Sequence, residues 1–273
     1  MEWRSSAESY LTTTSIMKNK FFKLLITSLI AALWIGAWYL GALAIDSSSI
    51  FPYPHDTIMA LLALLSKVEF YKVVALSLLR VLLGLTLGVV FGIGLAILCH
   101  NFSLVKAFFS PAISIIRSTP VASFVVLLWV LLDGDALAVV VAFFMVMPIV
   151  WQNTLDGFSS IPRDLIEVTQ VYELSIKRRF QVLIIPILSQ YIFPAVITSV
   201  GLAWKSEIAA EIVAYTKDSI GMYINDAKNF GMYIDGAKYF SPASVVFAWT
   251  VVIIVMSLSL EFGVKKLLRR IKK

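Results

Sequence analysis

One cysteine, two histidines and a charged fraction of only 15% leave this chain of 273 residues few of the groups that covalent or metal chemistry needs. Cys99 has no second thiol to pair with, which excludes an internal disulfide and a cysteine-cluster metal site. His55 and His100 stand far apart in the chain, and neither an H-E-x-x-H zinc pattern nor a G-x-S-x-G nucleophile elbow occurs. No catalytic residue and no metal ligand is therefore expected. A G-x-x-x-x-G-K-[ST] loop is missing as well, so the chain has no Walker A cradle for ATP and takes its energy from a partner or a gradient. Soluble domains carry about 25% charged residues. Here hydrophobic residues make up 59% and the mean hydropathy is +0.87, which excludes a soluble domain and a disordered chain. Lys and Arg number 23 against 17 Asp and Glu, a net charge of +6. These cations flank apolar runs, an orientation signal in a membrane protein and not a nucleic-acid footprint.

Apolar runs long enough to cross a hydrocarbon core of about 20 helical residues recur at Leu24 to Ile45, Val73 to Leu98, Ala136 to Trp151, Val182 to Trp204 and Ala243 to Phe262. The first exceeds the roughly 7–15 apolar residues of a signal peptide and reads as a retained span. Between the second and third lies Ala107 to Leu132, interrupted by Pro111, Arg117 and Pro120. Basic residues decide its status, because cytoplasmic segments carry the Lys/Arg excess. Arg4, Lys18, Lys20 and Lys23 at one end and Lys265, Lys266, Arg269, Arg270, Lys272 and Lys273 at the other place both termini in the cytoplasm. An even number of crossings follows, and Ala107 to Leu132 makes the count six. The expected organisation is a cytoplasmic tail over 1–23, an all-helical membrane domain over 24–263 and a basic tail over 264–273. A cytoplasmic loop falls at about 152–182 and an external one at 205–242. The external loop holds a tandem copy: GMYINDAKNF at 221–230 and GMYIDGAKYF at 231–240 agree at seven of ten positions.

Gly84, Gly88 and Gly92 recur at every fourth position, with Ala96 continuing the row, so one helical face has almost no side chains. In lipid such a face lets a neighbouring helix approach closely. Arg80 lies one turn before it and must snorkel, pair or serve a solute path, because an isolated cation in a span costs about 2.5–3.5 kcal/mol on insertion scales. Arg117, Lys205, Glu207 and Glu211 are further candidates for a solute path. Glu207 and Glu211, one turn apart beyond Trp204, share a helical face that suits cation capture or, more blandly, a solvated charged turn at the outer rim.

The cytoplasmic stretch from Ser159, SSIPRDLIEVTQVYELSIKRRFQVLIIP, reads as two short helices. Ser160 is placed to cap the first, Pro162 fits its first turn, and Asp164 complements the positive end of its dipole. Arg163 with Glu167 and Glu173 with Lys177 are i,i+4 pairs. Leu165, Val168 and Tyr172 form an apolar stripe on the same helix. A stripe facing away from the bilayer suits a protein partner; the alternative, a helix lying on the lipid headgroups, prefers a basic polar face, and here that face is mixed.

This segment resembles the cytoplasmic motif of bacterial ABC importer permeases, E-A-A-x-x-x-G followed after nine residues by I-x-L-P. Glu167 matches the acidic position, Pro186 the terminal proline nineteen residues later, and Leu183 and Ile185 the aliphatic positions. Val168 and Thr169 replace the alanine pair, and Glu173 replaces the glycine, which would permit a left-handed turn that costs most other residues about 1 kcal/mol. Ser77 to Gly94, Pro111 to Pro120, Gly201 to Glu211 and Phe51 to Pro54 are similar to segments of the nitrate, aliphatic-sulfonate and taurine subfamily. The resemblance implies the type I importer architecture: two six-span permease copies, two cytoplasmic ATPase subunits that bind ATP and Mg, and an external substrate-binding protein. This chain would carry no cofactor, and the segment around Glu167 would be the helix that couples it to the ATPase. The expected solute is a small anion such as sulfonate, taurine or nitrate. A thiamine-precursor-like heterocycle and a gradient-driven secondary transporter are the alternatives.

Overall fold

The computed structural model describes residues 20–230, 232–234 and 238–271. Arg4 and Lys18 of the N-terminal tail, Lys272 and Lys273 at the C-terminus, and Gly231 and 235–237 of the second repeat copy lie outside them. The described chain is helical except for one short ladder. In order come α1 (Lys20–Ile45), α2 (Pro54–Leu65), α3 (Val68–Asn101), α4 (Ser103–Ser118), α5 (Val121–Trp129), α6 (Gly134–Ser159), α7 (Arg163–Val171) and α8 (Ile176–Arg179). A π-helical turn (Phe180–Ile184) then runs into α9 (Ile185–Ala214), followed by α10 (Ile220–Phe230), β1 (Met232–Ile234), β2 (Lys238–Phe240) and α11 (Pro242–Ile271).

Five helical stretches are long and apolar enough to cross a membrane, and α4 with α5 makes a sixth if the pair is one crossing. That pair covers the interrupted stretch expected as a crossing over Ala107 to Leu132. It bends by 106° between Ser118 and Val121. Pro120 donates no N–H and forces the residue before it out of helical geometry, and Thr119 sits at φ −76°, ψ 128°. The nine residues of α5 reach only about 14 Å, under half a hydrocarbon core.

The core lies where α3, α6 and α9 pack together, with α11 against α9 and α2 against α11. Val81, Leu85, Ala142, Val146, Val200 and Trp204 fill it. Trp204 donates its indole N–H to Ile253 O (3.0 Å), tying α9 to α11. Because α3 runs through the middle, its small-residue face decides how near α6 can come. A β-carbon at Gly84 would lie 2.6 Å from both Val139 O and Ala142 Cβ. One at Gly88 would lie 2.7 Å from Val146 Cβ, and one at Gly92 would lie 2.9 Å from Met147 O. Such separations are far inside van der Waals contact, so the three glycines set the α3–α6 distance. By contrast α1 is nearly all exposed; Trp38 donates to Pro52 O (3.0 Å) and rests against Phe247, and Tyr39 packs on Tyr53.

Helix replaces much of what the sequence suggested as loop. Residues 152–159 belong to α6, and α8 with the π turn runs directly into α9, so the connection between spans contains one free-standing helix, α7, and not two. On the opposite side, 205–214 continue α9 and the first repeat copy is α10.

Candidate functional site

Two polar centres sit at opposite ends of the bundle. The first is α7 and the turn after it. Pro162 precedes the helix in an extended conformation and takes the capping position expected for Ser160; the latter ends α6, where its hydroxyl donates to Gly157 O (2.8 Å). Asp164 lies in the first turn of α7, where a negative charge offsets the helix dipole. Thr169 is buried against the bundle, and Ile166, half-buried beside it, also faces inward. Leu165, Val168 and Tyr172 keep 44%, 48% and 75% of their surface exposed, and Glu167 is exposed among them.

The helix ends in a Schellman arrangement. Leu174 N–H donates to Thr169 O (3.0 Å) and Glu173 N–H to Gln170 O (2.9 Å), closing the last carbonyls of α7. The residue that must be left-handed in this motif is Glu173, and its φ is 48°. The turn that glycine would favour is thus made by glutamate. Glu173 lies in the turn and not in a helix shared with Lys177, so the i,i+4 support expected for that pair does not arise. Pro186 stands in the first turn of α9, exposed, immediately after the π turn. With no N–H to offer and a ring that would strike the carbonyl four residues back, it explains why the helical register widens just before it.

The second centre gathers around Arg80, which is 8% exposed. Its guanidinium donates from Nη1 to Glu211 Oε1 (3.0 Å), from Nε to Asp135 Oδ1 (2.9 Å) and from Nη2 to Lys217 O (3.2 Å). Glu211 further accepts the Ser77 hydroxyl (2.7 Å) and the Gly221 amide (3.1 Å), at the N-terminus of α10. One carboxylate thereby joins α3, α9 and α10, and Asp135 adds α6. Beside it Lys72 donates to Asp218 (2.8 Å), and that hydrogen bond holds the Asp218 carboxyl below the usual carboxylate range.

A solvated turn at the rim is not what these acids form. Glu207 and Glu211 are both 0% exposed, because α9 continues through them into the packed core instead of ending at Trp204. Glu207 has no hydrogen-bond partner on either oxygen among the described residues. Arg117 near the end of α4 and Lys205 in α9 are exposed and stand apart from the Arg80 cluster. Ser77, Asp135 and the Lys217 carbonyl were not marked by the sequence. A serine one turn before an intramembrane arginine was the only cue to Ser77, and nothing local links Asp135 to Arg80 across 55 residues. Among the described residues no group of three His, Cys, Asp or Glu side chains is arranged to hold a metal.

Residues 88–273 match the family described as the binding-protein-dependent transport system inner membrane component. The chain is 24% identical over 252 residues to the putative aliphatic sulfonates transport permease protein SsuC of Bacillus subtilis, covering 92% of this chain and 86% of that one. It is 34% identical over 165 residues to the bicarbonate transport system permease protein CmpB of Synechocystis sp., covering 60% and 58%. Among solved structures, the crystal structure of an amino acid ABC transporter with histidines aligns with a TM-score of 0.56 at 18% identity, over 74% of this chain and 93% of that one. That likeness is one of fold.

Proposed function

Because the chain belongs to the inner-membrane components of binding-protein-dependent transport systems, as a permease subunit of the nitrate, sulfonate and taurine ABC importers, we propose that it forms half of a pathway for a small anion and is driven through α7. It is a conduit and not an enzyme, and ATP hydrolysis belongs to a separate ATPase. In this reading two copies enclose the path in the bacterial cytoplasmic membrane, and both termini face the cytoplasm with the α7 loop. Two ATPase subunits bind ATP and Mg, and an external binding protein delivers solute.

The observation that carries the reading is the exposed apolar face of Leu165, Val168 and Tyr172, displayed on a helix that lies outside every span. Fully burying a side chain of this size is worth about 1.5–3 kcal/mol, so a groove on a partner that covers all three gains enough to anchor a moving contact. Glu167 lies among them, and the Schellman turn at Glu173 fixes the angle at which the chain leaves α7. Closure of the two ATPases would draw the α7 helices together, and Thr169 and Ile166 would carry the displacement inward.

The anionic solute is supported by the relatives, whose names include aliphatic sulfonates and bicarbonate. It is also supported by how the charges are disposed. Glu207 and Glu211 are buried and Arg80 is occupied, so among the candidates for the path Arg117 and Lys205 are the exposed cations that a passing anion would meet. Cysteine placed at Val168 after Cys99→Ser should cross-link to the ATPase in the assembled transporter. Arg117→Glu or Lys205→Glu should lower anion uptake while leaving that cross-link intact. A cross-link to lipid-embedded segments instead would remove the basis of the coupling role.

A further inference from the structure

Between α7 and the spans lies a cavity of about 650 Å³ that the coupling reading does not use. Its walls are apolar on three sides: Ile93 and Ile97 from α3, Leu188, Ile192 and Phe193 from α9, and Ile166 from α7. Among the described residues no aspartate or glutamate lines it. Asn101 donates to Ile97 O (2.8 Å), Ser189 donates to Pro186 O (2.8 Å), and the exposed His100 ring is stacked on Phe158 at 4.3 Å. Arg179 differs: its Nε is buried and has no acceptor among the described residues. Arginine does not lose its charge, so a buried donor on it is an acceptor-shaped gap in the structure. Lys177 and Arg178, both exposed, add positive charge next to it. The π turn that follows begins at Phe180, itself a lining residue, and departures from α-helical register of this kind concentrate at functional sites.

We propose that this cavity is a binding site for an anionic phospholipid, with the headgroup phosphate on Arg179 Nε and an acyl chain along Ile97, Ile93 and Ile192. A free anion would satisfy the arginine but leave the long apolar wall in contact with water, and a neutral lipid would fill the wall but bring no net charge to meet Lys177, Arg178 and Arg179. Basic pockets between spans are where acidic headgroups bind. The bilayer itself supplies the ligand. Because Ile166 forms one wall and is part of α7, an occupied site would brace that helix against α3 and α9. This consequence for transport rests on the coupling role of α7, whereas the lipid site itself does not.

Native mass spectrometry of the full chain in detergent micelles doped with phosphatidylglycerol or phosphatidylcholine tests the proposal directly. The expected result is one retained phosphatidylglycerol. Its retention should fall about tenfold in Arg179→Gln, the loss of one hydrogen bond to a charged group, and fall less in Arg178→Gln. Leu188→Trp, which fills the wall without touching the charge, should also expel the lipid, and inorganic phosphate or oleate should not displace it from the parent chain. Equal retention of phosphatidylcholine, undiminished binding in Arg179→Gln, or displacement by phosphate alone would overturn the proposal. So would loss of the lipid whenever the chain is purified with its ATPase, since the cavity would then belong to the protein partner. None of these readouts depends on transport, so a failed coupling experiment leaves the lipid site standing and a failed lipid experiment leaves α7 untouched.

Discussion

Arg80 is gripped from three directions at once, and its energetics follow from what each partner loses without it. Removing the guanidinium leaves Glu211 buried at 0% exposure with only the Ser77 hydroxyl and the Gly221 amide to compensate its charge. Breaking a buried ion pair from one side typically costs about 3–5 kcal/mol, more than the pair is worth intact. Arg80→Ala should therefore lower the thermal unfolding midpoint of the purified chain markedly, and Arg80→Lys should recover little, because a point charge cannot serve Glu211, Asp135 and the Lys217 carbonyl together. An unchanged midpoint in Arg80→Ala would show that the cluster contributes nothing to stability. Glu173 presents the opposite balance. Glycine at this position relieves about 1 kcal/mol of left-handed strain but gives back roughly 0.5–1 kcal/mol in unfolded-state entropy. Glu173→Gly should thus leave transport and stability nearly unchanged, whereas Glu173→Val, β-branched and still left-handed, should loosen the turn and make it more sensitive to proteolysis. Equal sensitivity of the two variants would contradict the strained turn. The spacing from Glu167 to Pro186 pointed to a turn at Glu173, and the left-handed residue is there. The burial of Glu207 and Glu211 was not legible, since i,i+4 spacing tells which residues share a face but not what packs on it.

Elements show the same division. The glycine row on α3 could be read from its period because contact between helices in lipid depends on side-chain size along one face, and α6 lies against it. The bend between α4 and α5 was visible as Pro120 but its size was not, because proline ends a helix without fixing where the next one points. The tandem repeat is the clearest case of tertiary context overriding local sequence. Its first copy is the helix α10, while the second contributes β1 and β2, paired antiparallel with Met232 opposite Phe240. The copies differ where the helix is anchored. Asn225 donates to Ile212 O (2.6 Å) and Asp226 accepts from the Tyr215 hydroxyl, and the second copy has Asp235 and Gly236 at those places. Deleting 231–240 should therefore preserve expression and uptake. Deleting 221–230 moves Asp235 and Gly236 into the anchoring positions, removes both bonds and adds a mid-helix glycine costing about 1 kcal/mol, so folded yield should fall. If the two deletions behave alike, the anchoring assigned to Asn225 and Asp226 is incorrect.

At the scale of the molecule, composition alone dictated a membrane protein, and charge bias along the chain suggested how it sits. The packed helices α3, α6, α9 and α11 hold the Arg80 cluster at one end and carry α7 at the other. In the proposed coupling, a pull on α7 would meet a bundle held at its far end by the Arg80 hydrogen bonds. The most direct measurement is ATP-driven uptake in proteoliposomes containing the ATPase and binding protein, with Leu165, Glu167, Val168 and Tyr172 all changed to alanine. The four changes lie outside every span, so the chain should still insert. The account predicts that uptake falls to background, with the ATPase either released or hydrolysing ATP without transport. Normal ATP-driven uptake by this variant would contradict it.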